Sequence, residues 1–177
     1  IGMTDSDELR RVMGRCTNTV RIVKPYADRD KAIAQLQEAQ ALGAPAVGMD
    51  MDHMFGADGR PDVVQGETMG VYTADDWHAM IGATNLPFIV KGVLSVRDAV
   101  RCRELGARGI VVSHHNGHLP DAVPPLLVLP EIRRALGADF TIFVDCGIAS
   151  GLDAYKALAL GANAVCVGTH LIPVVVQ

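Results

Sequence analysis

No stretch of the 177-residue chain approaches the ~20 consecutive apolar residues that a membrane-spanning helix requires. Runs such as Ile142 to Val144 and Pro173 to Val176 fall far short, so helical membrane insertion is excluded as a reading. Cysteine is sparse and unpaired. Cys16, Cys102, Cys146 and Cys166 show neither a disulfide framework nor a zinc-ligand spacing, and two of them sit in apolar strand-like runs where a free thiol behaves as a small hydrophobe. That usage fits a reducing, cytoplasmic compartment. Aromatics make up only 5% of the chain, and its 16 Lys and Arg are scattered, so the basic, aromatic-interleaved surface of a nucleic-acid binder is missing. A net charge of -4 selects no other partner class.

What is present is the profile of one globular domain over residues 1–177, 49% hydrophobic and 20% charged, with no composition break. No charged-then-apolar leader opens it. The chain starts with Ile1 rather than Met, so a start further upstream is expected.

The tripeptide Leu-Gly-Ala recurs at Leu42, Leu105, Leu136 and Leu160, each time after a helix-like stretch and before an apolar run. Glycine just past a helix can take the left-handed conformation that closes the last turn, after which the chain re-enters as a strand. The strands predicted are Val20 to Lys24, Ala46 to Met51, Leu86 to Val93, Gly109 to Ser113, Thr141 to Asp145 and Ala164 to Gly168. They are nearly continuous in apolar residues rather than alternating, as in parallel strands covered on both faces. Helices are expected over Thr4 to Met13, Asp28 to Leu42, Thr73 to Ala83, Ser95 to Leu105, Leu129 to Leu136 and Gly151 to Leu160. Alternating strands and helices leave a doubly wound sheet or a (β/α)₈ barrel. Polar residues at the C-terminal ends of many strands, rather than at one switch point, favour the α/β barrel.

Those strand ends carry Asp50 and Asp52, Lys91, Ser113 with His114 and His115, Asp145, and Gly168 with Thr169. An ammonium closing so apolar a strand as Pro87 to Val90 needs an anion or ligand nearby, unless Lys91 simply reaches water or a neighbouring carboxylate. His114, His115 and His118 place three imidazoles in five residues, which suits a proton acceptor, a metal site, or histidines that only complete loop hydrogen bonds. Metal is the weaker reading, because Asn116-Gly117 marks a turn rather than the helix of two-histidine zinc motifs. The glycine turns at Gly147 and Gly168 could cradle a phosphate, although tight strand-to-helix connections use glycine without binding anything.

Leu86 to Val93, Gly109 to His115 and Asp145 to Ala162 together resemble the FMN-dependent 2-hydroxy-acid oxidising family, which includes glycolate oxidase, lactate oxidase and mandelate dehydrogenase. The resemblance implies an FMN-binding (β/α)₈ barrel of which the chain carries about strands three to eight. It further implies oxidation of a small 2-hydroxy acid, such as lactate or glycolate, to the 2-keto acid. By position it makes His115 the base, Asp52 the carboxylate that orients it, and Lys91 the cation beside the flavin N1 and O2. Ser113, Asp145, Gly147, Gly168 and Thr169 fall on flavin-contacting positions, and His118 and Lys24 on the substrate side. It assigns no metal, and by family habit it implies self-association. The chain departs from the pattern where His118, Ala149 and Thr169 replace arginines and where Lys24 stands near an expected aromatic hydroxyl. The family's first two strands have no counterpart before Ile1, nor its closing helices after Gln177. A fragment, a truncated product, or a chain completed by another is therefore expected. A diverged FMN or phosphate-binding barrel enzyme with another substrate, and a non-catalytic remnant, stand as alternatives.

Overall fold

The computed structural model describes residues 1–119 and 121–171, so the apolar run Pro173 to Val176 lies outside it. Helix α1 (Ser6–Met13) precedes β1 (Arg21–Val23), α2 (Arg29–Ala41) and β2 (Val47–Asp50). A hairpin of β3 (Val63–Val64) and β4 (Glu67–Thr68) follows, then α3 (Ala74–Gly82), β5 (Phe88–Val93), α4 (Val96–Glu104) and β6 (Gly109–Val112). The chain continues through α5 (Pro125–Leu136), β7 (Thr141–Val144), α6 (Gly151–Ala159) and β8 (Ala164–Val165).

All six predicted strands form, each shorter than its apolar run, and they assemble into one parallel sheet in the order β1-β2-β5-β6-β7-β8. Among the described residues β8 does not pair with β1, so the sheet is an open part of a barrel. Both of its faces are apolar. Val47, Met49, Phe88, Val90, Ile110, Val112, Ile142 and Val144 pack outward with Leu36, Leu129 and Ile132 of the helices. The alternate residues Ala46, Ile89 and Val111 face inward with Val20 and Phe143. Burial on both sides is what removed the polar alternation from the sequence.

The helix starts follow local chemistry. Asp5, Asp28, Thr73, Ser95 and Ser150 each accept a backbone N–H of the first turn, and Thr73 and Ser150 form full capping boxes with Asp76 and Asp153. Helix α5 begins four residues before its predicted start. Pro125 occupies the first helical position, where its missing N–H costs nothing, and Pro130 is carried inside the helix. Among the described residues the hairpin and the short 3₁₀ turn Thr169–Leu171 had no sequence expectation, while the 3₁₀ turn His115–Gly117 falls on the turn read at Asn116-Gly117.

Inside the sheet the strands approach closely at Gly48, where an added Cβ would collide with the carbonyl oxygen of Ile89 and lie 2.9 Å from Ile22 Cδ1. The obstacle is backbone, so it cannot rotate away. Gly48→Ala is expected to lower the unfolding free energy by about 1–3 kcal/mol, the usual range for overpacking. Urea unfolding checks it, and an unchanged midpoint would show that the sheet is looser than described.

Candidate active site

Parallel pairing sets Asp50 of β2 directly beside Lys91 of β5, at the C-terminal end of the sheet. Lys91 Nζ lies 3.2 Å from Asp50 Oδ1 and 3.8 Å from both Asp52 Oδ2 and Asp145 Oδ2. Lys24 Nζ, at the end of β1, bonds the other Asp50 oxygen at 2.7 Å in a pair buried on both sides. Two ammoniums therefore meet three carboxylates. Burial alone would discharge Lys91, but Asp50, Asp52 and Asp145 outweigh it and hold the ammonium above its ordinary value.

The Asp52 side chain is fully buried, and both its oxygens lie 3.1 and 3.2 Å from His115 Nδ1. Gly92 makes room for it. With φ at +99°, Gly92 shifts the β5–β6 register, and a Cβ there would sit 2.7 Å from the Asp52 carboxylate. Burial pushes the Asp52 carboxyl up, yet the His115 hydrogen bond and the Lys91 charge prevail and hold it below the ordinary carboxylate range.

His115 is fixed by the turn that carries it. Its backbone N–H donates to Ser113 Oγ at 3.0 Å, the Asn116 N–H to Cys146 Sγ at 3.2 Å, and the Gly117 N–H to His114 Nδ1 at 2.9 Å. His115, Asn116 and Cys146 all adopt positive φ, at 53°, 55° and 65°. Left-handed backbone at three non-glycine residues in one place is strain of the kind that collects at functional sites.

Two cavities meet at Lys91, His115 and Asp145. One, about 980 Å³, runs along the inner face of the sheet past Lys24, Ile89 and Phe143. The other, about 490 Å³, lies against Gly147, Gly168, Thr169 and His170. The structure thus brings together Asp52, Lys91, His115, Lys24, Asp145, Gly147, Gly168 and Thr169. Ser113 and His118 line neither cavity. Ser113 is fully buried and supports the His115 turn. The His118 ring lies 4.1 Å from that of His53, and its Nε2 is 3.5 Å from Asp62 Oδ2.

His53 and Asp62 escaped sequence reasoning. His53 lines the larger cavity, its ring meets that of His115 edge-on at 4.5 Å, and its Nδ1 bonds Asp62 Oδ2 at 2.7 Å. Burial, reinforced by the nearby positive groups, lowers the His53 pKa despite the Asp62 hydrogen bond. The position of His53 one residue past Asp52 was the available signal; Asp62 lies in a loop with no periodicity to read.

Residues 40–175 match the family model for FMN-dependent dehydrogenases. The chain belongs to this family. Within it, an L-lactate oxidase of Alicycliphilus denitrificans is 42% identical over 113 residues, 63% of this chain and 31% of that protein. A 4-hydroxymandelate oxidase of Amycolatopsis orientalis is 47% identical over 97 residues, 54% of this chain and 27% of that one. A mandelate oxidase solved with benzoyl-formic acid superposes with a TM-score of 0.84 at 31% identity, over 97% of this chain and 55% of that chain. The family fold is a barrel, and the sheet described above is part of one. The chain spans less than a third of these two curated relatives and about half of the solved one. No helix among the described residues is long and apolar enough to cross a membrane.

Proposed function

We propose that this chain carries the FMN and substrate site of an enzyme that oxidises a small 2-hydroxy acid, of the lactate or glycolate kind, to its 2-keto acid. The observation that carries the reading is the buried Asp52 carboxylate on His115 Nδ1, with Lys91 3.8 Å away. Asp52 holds the imidazole with its other nitrogen free to take a proton, and its charge stabilises the imidazolium that results. Lys91 is a fixed cation between the two cavities, suited to negative charge that develops beside it.

The residues fit FMN at the ring end. Among the described residues Lys91 Nζ is buried without a well-directed hydrogen-bond acceptor, which a flavin pyrimidine edge would supply. When bound, FMN supplies the two-electron acceptor, while the protein supplies position and field. Gly147, Gly168 and Thr169 would hold the phosphate end through backbone N–H groups and a hydroxyl, and the Asp145 carboxylate would accept from the ribityl hydroxyls, since no arginine among the described residues lines that cavity. Lys24 stands on the substrate side.

A second reading, a diverged FMN enzyme with another substrate, is favoured by one observation: His118, where the resemblance leads to an arginine, faces Asp62 instead of a cavity. Anaerobic mixing of the complete flavin-loaded protein with lactate, glycolate and mandelate separates the two. Bleaching of the flavin by one of these acids is expected. A flavin that stays oxidised with every small 2-hydroxy acid overturns the substrate class.

A further inference from the structure

Beside the Asp52–His115 pair lies a second constellation that the oxidation reading leaves unused. His53 follows β2, Asp62 precedes the β3–β4 hairpin, and His118 closes the turn after β6, so two separate loops contribute two imidazoles and one carboxylate. One ligand atom from each lies within 4.8 Å of the others. Asp62 Oδ2 is 3.5 Å from His118 Nε2, close to the edge of a tetrahedron with ~2.1 Å bonds to nitrogen and oxygen, and 2.7 Å from His53 Nδ1, a hydrogen bond that an ion between the two would replace. His118 Nε2 is buried and makes no hydrogen bond among the described residues, its nearest carboxylate oxygen being Asp62 Oδ2 at 3.5 Å. The neighbouring group of Asp50, Asp52, His53 and His115 has the same ligand types, but Lys24 and Lys91 already supply its positive charge at 2.7 and 3.2 Å from Asp50.

We infer that His53, Asp62 and His118 bind one zinc-class divalent cation, with the remaining position open to water. The ion ties the hairpin loop to the turn that carries His115. The inference stands independently of the proposed oxidation.

The test uses the complete, chelator-treated protein titrated with Co²⁺, with absorption and metal content measured. One equivalent is expected, with visible bands of nitrogen and oxygen ligation and no strong near-ultraviolet thiolate band. D62N and H118A should each weaken binding ~10-fold or more, at least the cost of losing an outer-sphere partner, while their metal-free unfolding midpoints show that they fold. Absence of Co²⁺ binding by the native protein, thiolate ligation, or unchanged affinity in both variants overturns the site.

Discussion

Replacing His115 by Asn is expected to slow flavin reduction by ~100-fold or more while the flavin stays bound. Asn has a similar reach and can still meet Asp52, but it has no basic nitrogen to take a proton. Stopped-flow reduction under saturating substrate reads the chemical step directly. The complementary variant D52N should leave the imidazole in place without its buried counter-charge, so it too slows reduction, and the double variant should cost less than the two losses combined. A protein that only binds its ligand would be indifferent to all three. Equal rates in the native protein and H115N would remove His115 from the chemistry.

The second large effect concerns stability. Lys91 is the shared cation for Asp50, Asp52 and Asp145, whose side chains are 3%, 0% and 18% exposed. Replacing it by Met fills the stem's volume but leaves buried carboxylates uncompensated, a change that costs about 3–5 kcal/mol in buried ion pairs. In the native protein Asp52 is held below its ordinary pKa, so its stabilisation is present above about pH 4 and lost as pH falls through the depressed value. Loss of Lys91 removes one of the forces that depress it. The deficit of Lys91→Met should therefore be largest at neutral pH and shrink on acidification, as protonation makes the missing cation unnecessary. Denaturant unfolding at neutral and acid pH measures this. A deficit that stayed the same in acid would mean that Lys91 acts through packing rather than charge.

Much of this was legible in the residues because two signals agreed. Continuous apolar runs such as Ile110 to Val112, four of the six led in by a glycine-closed helix, read as two-sided parallel strands, and the two apolar faces of the sheet give the physical reason. Strand parity then carries Asp50, Lys91 and Asp145 to one face, and parallel pairing to one end. The loops were another matter. The hairpin turns on Gln65 and Gly66, both at positive φ, and a glutamine there carries none of the usual Asn-Gly or Asp-Gly signature; strands of two residues are too short for periodicity. His53 and Asp62 are nine positions apart in such a region, so only tertiary contact joins them. Ser113, which the family resemblance makes a flavin contact, has a further role that the sequence did not show, since its hydroxyl accepts the backbone N–H of His115.

In the proposed enzyme His115 and Lys91 face one bound flavin across the junction of the two cavities. A crystal structure of the complete protein with FMN and a 2-keto acid tests this directly. The predicted result is a flavin ring in contact with Lys91, with the keto acid between that ring and the free nitrogen of His115. FMN bound at another face, or a ring that touches neither side chain, would contradict it.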